Sequence, residues 1–403
     1  MIKFTLVCES QDGVCNVYGA SPNCGPESEE SCGSCKEGYF GARCEFCIND
    51  ERFTIFEGVN GTVDPETGKG IWCGKYVLTC EKLERGSPIC FNFDKYSSVI
   101  DFKYWISGKT SVLVAGGYNG KELRTVEVIG ELEGDCKLPD LPFEISYVPS
   151  VVKHGINTLL CGGQQNEKSC LRLDERDWIH FNELSNERTC ASAVSTNGTI
   201  HIFGGRESKT NSEILTVGNN KWKKGAYLKK GSYGSCGVRI SDQELLIIGG
   251  SDTPYRITKF NFLNNTWSEL PIKLTNGRKD HACQVFNSKV IISGGRHDGE
   301  SMKSTEIIDL GNLSNLTLRH GGNMIRSRYR HGMGIITWKG KQMLIAFAGR
   351  LGHGGYWDSI EAWNDSTETW TLIPERELKL KEPKMAFGYA TLPTELICPN
   401  RQK

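Results

Sequence analysis

The sequence predicts an all-β protein, with a small cysteine-rich head followed by a radial array of six four-stranded units. Three observations predict it. A short apolar run ending in two small residues recurs six times, its last glycines spaced by 46, 42, 45, 45 and 54 residues. Small-residue strands and turn signals fall between these runs roughly every ten residues. Ten of the 17 cysteines lie in the first 90 of the 403 residues. Charge is balanced, with 48 basic and 48 acidic residues. No chain-wide basic field exists to attract nucleic acid. The longest apolar runs have fewer than ten residues, too short for a membrane-spanning helix.

The head comes first. Cys8, Cys15, Cys24, Cys32, Cys35, Cys44, Cys47, Cys73, Cys80 and Cys90 occupy a segment with few aliphatic residues. Such a segment needs staples in place of a large core. Cys32-x2-Cys35-x8-Cys44-x2-Cys47 also has the spacing of zinc ligands. Between these cysteines stands KEGYFGARCEFC. Its Gly38, Tyr39, Phe40 and Gly41 resemble the Gly-aromatic-x-Gly hairpin of epidermal-growth-factor-like modules, and the flanking CxxC pairs are similar to the laminin-type variant. The resemblance covers about residues 15–47 and implies that the ten cysteines form disulfides. Residues 1–50 are read as this module and 51–95 as a cysteine-containing, β-rich linker.

Asn-x-Ser/Thr triplets begin at Asn60, Asn197, Asn264, Asn312, Asn315 and Asn364. Beside a stapled head they favour a secreted glycoprotein. The start MIKFTLVCES has too short an apolar stretch for a signal peptide. The expectation is that the true start lies upstream or that the chain is not exported.

The repeat occupies residues 96–395. Its apolar runs are SVLVAGG (111–117), NTLLCGG (157–163), TIHIFGG (199–205), ELLIIGG (244–250), KVIISGG (289–295) and QMLIAFAG (342–349). Each reads as a buried strand closed by a turn that requires residues without a Cβ. Trp178, Trp222, Trp267 and Trp370 each follow a large apolar residue by seven: Leu171, Leu215, Phe260 and Trp363. Ile308 with Asn315 and Ile129 with Cys136 take these places in the two remaining units. Glu127, Glu213, Glu306 and Glu361 alternate with apolar neighbours, which predicts that they face water. TCASAVSTNG, GSCGVRISD, HACQVFNS and HGMGIITWKG precede the glycine strands and suit a crowded innermost position.

Taken in order, these features resemble the kelch repeat of β-propellers, over residues 96–392. The resemblance implies a six-bladed kelch-type propeller, with KMAFGYATLP as the strand that pairs with the first blade and closes the ring. SSVIDFKYW (97–105) reads as a lead-in strand, and a seven-bladed ring is the alternative. Residues 396–403 form a tail.

Candidate ligand-binding residues follow from the repeat register. Arg206, Arg296 and Arg350 come directly after glycine pairs, and Arg188, Arg278 and Arg328 precede innermost strands. A ring of guanidinium groups at the mouth would hold carboxylate or phosphate bidentately. In the competing expectation these arginines bond backbone carbonyls and join the blades. GRLGHGGYWD (349–358) adds Tyr356 and Trp357 on a glycine-rich loop. His281 and His331 are expected to make hydrogen bonds between blades. Cys161 and Cys170 sit where they could pair, while Cys190, Cys236 and Cys283 are expected to fill small apolar spaces.

No catalytic, cofactor-binding or metal-binding signature is found. The functional expectation is a non-enzymatic extracellular protein that binds a protein, peptide or glycan on a propeller face. The module order is similar to that of attractin-like cell-surface proteins. The alternatives are an intracellular kelch adaptor of the actin or ubiquitin-ligase type, and a kelch-fold sugar oxidase or epimerase, with Glu207 or Glu300 as possible acid–base groups.

Overall fold

The computed structural model describes residues 109–397 apart from 133–137, 148–149, 155–156, 175–176, 197 and 217–220, together with six short strands between residues 39 and 79. The chain divides into two compact units, Met1–Phe102 and Lys103–Lys403. In the first, three antiparallel pairs are described: Tyr39–Phe40 with Phe46–Cys47, Arg52–Glu57 with Gly74–Thr79, and Thr62–Val63 with Gly70–Ile71. The side chains of the ten head cysteines, Asn60 and the segment 97–105 lie outside the described residues.

In the second unit the sequence repeats fold into the six blades of a β-propeller. From the centre outward, blade 2 is Ser150–His154, Asn157–Cys161, Cys170–Leu173 and Trp178–Phe181. Blade 3 is Ser192–Ser195, Thr199–Phe203, Ser212–Thr216 and Lys223–Lys224. Blade 4 is Cys236–Arg239, Glu244–Ile248, Ile257–Asn261 and Thr266–Glu269. Blade 5 is Ala282–Phe286, Lys289–Ser293, Thr305–Asp309 and Thr317–Gly321. Blade 6 is Gly332–Trp338, Lys341–Phe347, Ile360–Asn364 and Thr369–Leu372. Blade 1 joins both ends of the unit: Gly388–Pro393 is its innermost strand, paired with Thr110–Tyr118, which pairs with Glu122–Ile129. The register runs from Gly388↔Ala115 to Pro393↔Thr110. Closure leaves no open sheet edge at the seam. Beyond it, Ser111 and Thr394 hydroxyls meet at 2.9 Å.

The second strand of each blade is covered on both faces by its neighbours, which is why its sequence is continuously apolar rather than alternating. Val112, Leu113 and Val114 are all fully buried, as are Val290, Ile291 and Ile292. The core is accordingly six slabs, one between each pair of adjacent blades. Blades 1 and 2 share Leu113, Leu160 and Leu171, and blades 6 and 1 share Val112, Ile345 and Ile360. Phe203 of blade 3 packs edge-on against Phe260 and Trp267 of blade 4. Two of the outer tryptophans also hydrogen-bond to the preceding crossover, Trp178 to the Pro139 carbonyl and Trp222 to that of Asn182.

The glycine pairs have distinct backbone tasks. The first position lies in the left-handed region, from φ +58° at Gly294 to +68° at Gly162, which Ala348 also adopts at 58°. The second position has φ between +92° at Gly349 and +116° at Gly117, a region natural only to glycine. This explains why the sixth unit reads Ala-Gly yet never loses its second glycine. Space is equally limiting, since a Cβ on Gly295 would lie 2.7 Å from the His281 Cβ.

Several expectations are corrected. Trp178 faces Leu173, and Ile308 faces Leu318 rather than Asn315; turns of different length shift the outer pairing. Phe260↔Trp267 and Trp363↔Trp370 keep the seven-residue spacing. Cys236 and Cys283 do not merely fill space: their disulfide joins the innermost strands of blades 4 and 5. Cys161 and Cys170, opposite each other in blade 2, form a second disulfide. Among the described cysteines Cys190 is free.

Candidate functional site

Each blade is entered through a crossover whose last three residues have fixed tasks. The triplets are Ile145-Ser146-Tyr147, Arg188-Thr189-Cys190, Ser232-Tyr233-Gly234, Arg278-Lys279-Asp280, Arg328-Tyr329-Arg330 and Lys384-Met385-Ala386. The first residue's carbonyl accepts a hydrogen bond from the second glycine of the preceding blade, as in Gly163 N–H to Arg188 O at 2.9 Å and Gly349 N–H to Lys384 O at 2.8 Å. The second residue pairs with the one that follows its own blade's glycine pair, as in Lys279↔Arg296 and Tyr329↔Arg350.

The third residues form a closed belt around the propeller axis. Cys190 N–H donates to Tyr147 O, Gly234 to Cys190, Asp280 to Gly234, Arg330 to Asp280, Ala386 to Arg330, and Tyr147 to Ala386, at 2.7–3.1 Å. All six are left-handed, with φ from +51° at Arg330 to +63° at Gly234. For the five non-glycine residues that conformation costs roughly 1 kcal/mol each, offset by the bonds it directs around the ring.

The first residues act as locks. Arg188, Arg278 and Arg328 are fully buried. Arg328 donates to the Ala348 and Ser359 carbonyls, the Ser359 hydroxyl and Glu361 Oε1, at 2.6–3.1 Å. Arg188 meets Glu213 at 2.9 Å, Arg278 meets Glu306 at 2.6 Å, and Lys384 meets Glu127 at 2.8 Å. The glutamates expected in water are therefore the buried counter-ions of the crossovers. Glu361 also accepts from Ile325 and Arg326 N–H groups, so it ties the incoming chain to the blade. Burial pulls the three guanidinium groups below their ordinary pKa, against the facing carboxylates. The two blades without a basic residue also lack the glutamate. Blade 2 has Ile145 with Leu171, and blade 4 has Ser232 with Thr258, at the same registers. Arg188, Arg278 and Arg328 thus bond backbone carbonyls and carboxylates inside the wall and offer no donor to the mouth.

Below the belt a cavity of about 310 Å³ runs between the innermost strands. Tyr147, Cys190, Asp280, His281, Arg330 and His331 line it. Arg330 lies over the Tyr147 ring at 4.5 Å and donates to its hydroxyl at 3.1 Å. Its Nε is 3.4 Å from Asp280 Oδ2 but has no hydrogen-bond acceptor. Asp280 is held more closely by Arg296, at 2.8 Å. Burial alone would lower Arg330, but Asp280 and the neighbouring thiol and phenols raise it. Burial, followed by the Asp280 carboxylate, pushes the Cys190 thiol up to about 12, so it is a poor nucleophile. His331 Nε2 meets the Ser293 hydroxyl of the neighbouring blade at 3.1 Å, and burial holds this imidazole down to about 3. His281 is buried with neither ring nitrogen hydrogen-bonded, and burial lowers it well below the ordinary histidine value.

Arg206, Arg296 and Arg350 stand on the rim at equivalent positions, as their register predicts. Arg296 lies over Tyr329 and Arg350 over Tyr356. Tyr356 packs edge-on against Tyr118. Trp357 is half-buried, donates to the Ser327 carbonyl and supports Arg326 at 4.3 Å. Glu207 bonds the Thr189 amide and hydroxyl. Glu300 closes the small hairpin opposite His297. Asn264, Asn312, Asn315 and Asn364 are exposed at outer-strand turns, away from the mouth, while Asn197 lies outside the described residues. The sequence reading passed over Tyr147, Asp280 and Arg330. The signal for them is register: each stands two residues after the lock position.

No family model and no curated protein matches this chain. Among solved structures it is similar to that of YjhT, with a TM-score of 0.52 and 13% identity, covering 62% of this chain and 88% of that one. At such identity the likeness is one of fold. Among the described residues no helix is long and apolar enough to cross a membrane, and no three metal-ligating side chains converge.

Proposed function

We propose that this protein is a non-enzymatic extracellular binding protein whose kelch-type propeller holds an anionic ligand at its mouth. One observation carries this reading. The eighteen positions formed by the last two residues of each crossover and the residue after each glycine pair hold five cations and one carboxylate. The cations are Arg206, Lys279, Arg296, Arg330 and Arg350, and the carboxylate is Asp280. The whole chain is neutral, so this excess is local, and it surrounds a cavity. Arg330 lines that cavity, and its guanidinium keeps donors without an acceptor, Nε among them. A carboxylate or comparable anion on a protein, peptide or glycan would satisfy them. The two disulfides support an oxidising compartment over that of an intracellular adaptor.

The test is binding of acidic and neutral peptides and glycans to the immobilised full chain. Arg206→Glu with Arg296→Glu is expected to abolish retention of the acidic members. Equal retention by wild type and double variant would remove the mouth from the reading. Turnover of a sugar substrate by the purified chain would overturn the non-enzymatic part.

A further inference from the structure

Tyr233, in the crossover into blade 4, is the meeting point of three cations. The Arg206 guanidinium lies 5.6 Å from its ring centroid, the Lys209 ammonium 5.6 Å and the Lys279 ammonium 5.7 Å. Arg206 and Lys209 belong to the rim loop of blade 3, and Lys279 to the crossover into blade 5. Like charges brought this close repel unless something offsets them. Two carboxylates stand nearby. Asp252 is committed to Lys209 at 2.8 Å and to the Ser251 hydroxyl at 2.8 Å, although its field also reaches Lys279. Glu207 is turned back onto Thr189. Arg206 and Lys279 are left without a carboxylate within ion-pair distance among the described residues.

The three backbones that carry this platform are fixed. Arg206 N–H donates to Thr189 O at 3.0 Å, Ser251 N–H to Tyr233 O at 2.9 Å, and Lys279 pairs with Arg296. The backbones of the site are therefore set before any ligand arrives, and binding has only the exposed Arg206 and half-buried Lys279 side chains to order. The site differs from the centre of the mouth, where Asp280 already sits between Arg296 and Arg330.

We propose that Arg206 and Lys279, on the Tyr233 platform, form a subsite for a sulfo group of a sulfated glycan. This rests on the reading of the mouth as an anion-binding surface and adds a second contact to it. A sulfo group keeps its charge at every physiological pH. Its three oxygens accept from a guanidinium and an ammonium together, whereas a planar carboxylate is matched by a single guanidinium. The disulfides of blades 2, 4 and 5 favour an extracellular glycan over a phosphorylated intracellular partner.

The test uses the full chain and three probes: a heparin-derived octasaccharide, the same oligosaccharide desulfated with its carboxylates retained, and a singly phosphorylated peptide. Wild type is expected to bind the sulfated probe at least about tenfold more tightly than the desulfated one, the scale of one or two charge-assisted hydrogen bonds. Arg206→Ala with Lys279→Ala is expected to remove that preference, weakening the sulfated probe at least about tenfold more than the desulfated one. Its melting temperature should stay close to that of wild type, because neither side chain makes an ion pair among the described residues. Equal binding of both oligosaccharides by wild type, or an unchanged preference in the double variant, overturns the sulfo subsite and leaves the anionic mouth standing. Preference for the phosphopeptide overturns the choice of a glycan. Failure of every anionic probe overturns both readings.

Discussion

Replacing Glu361 by alanine tests the locks directly. Glu361 accepts from Ile325 N–H at 2.6 Å, Arg326 N–H at 3.1 Å, and Arg328 Nε and Nη2 at 3.1 and 3.0 Å. Its loss leaves a fully buried guanidinium without a counter-ion, at about 3–5 kcal/mol. Two amide donors are orphaned as well, at about 1 kcal/mol or more each if water does not reach them. The sum, about 5 kcal/mol or more, is comparable to the whole stability of many domains. At roughly 2–4 °C per kcal/mol, the melting temperature should fall by about 10 °C or more. Blade 2 supplies the internal control, because Ile145 and Leu171 occupy the same two places in an apolar slab. Arg328→Ile combined with Glu361→Leu should therefore recover at least half of the loss, short of full recovery because the Ala348 and Ser359 carbonyls lose a donor. Thermal and urea unfolding of the two single variants and the double variant form a complete cycle. A cost below about 1 kcal/mol for Glu361→Ala, or a double variant as unstable as the sum of its singles, would refute the lock.

Three further outcomes are expected. Burial holds His331 at about 3 and His201 at about 4, so between those values and 6.5 the unfolded chain binds protons that the fold refuses. Stability is then full above about pH 6.5 and falls as the pH drops toward 4 and 3. His201→Phe, among Phe203, Phe260 and Phe262, should flatten the dependence of urea midpoints on pH; an unchanged slope would count against it. In the loop-entropy picture, the 47-residue separation of Cys236–Cys283 corresponds to about 4 kcal/mol and the 9-residue separation of Cys161–Cys170 to about 2.6 kcal/mol. Paired Cys→Ser variants should keep that order of damage in urea, and the reverse order would show that packing dominates. Gly295 and Gly299 have nearly the same φ, +93° and +89°, but only Gly295 is crowded, whereas nothing lies within 4 Å of a Cβ on Gly299. Gly295→Ala should cost about 3 kcal/mol and Gly299→Ala about 1 kcal/mol; equal costs would mean that conformation rather than space selects glycine there.

The architecture was legible because backbone constraints leave marks on residue identity. A φ near +100° admits little but glycine, so the second glycine of each unit survives when the strand before it drifts from SVLVA to NTLLC. The closing strand was legible for a similar reason, as GYATLP repeats the small-residue composition of the other innermost strands. The glutamates were misread because alternation on a strand says which residues share a face, not what covers that face. In this ring a neighbouring crossover covers it and brings a basic residue from 25 to 33 positions away in blades 3, 5 and 6. Their partners Arg188, Arg278 and Arg328 were located correctly along the chain, but position along a crossover does not reveal which way a side chain turns. The belt was least legible. Tyr147, Cys190, Gly234, Asp280, Arg330 and Ala386 share a backbone conformation and no side-chain chemistry, so no motif announces them.

That diversity follows from how the belt is made. Amide and carbonyl groups alone close the belt through all six members, and a chain of such links does not register what each member projects toward the axis. The mouth is thus a six-seat fixture whose occupants are exchangeable one at a time, with no strand re-registered and no slab of the core disturbed. The seat at Gly234 projects nothing. A Cβ there would stand 2.7 Å from Asp280 Oδ1, so a side chain at this seat would first displace the mouth's lone carboxylate and tilt its selectivity before altering anything else.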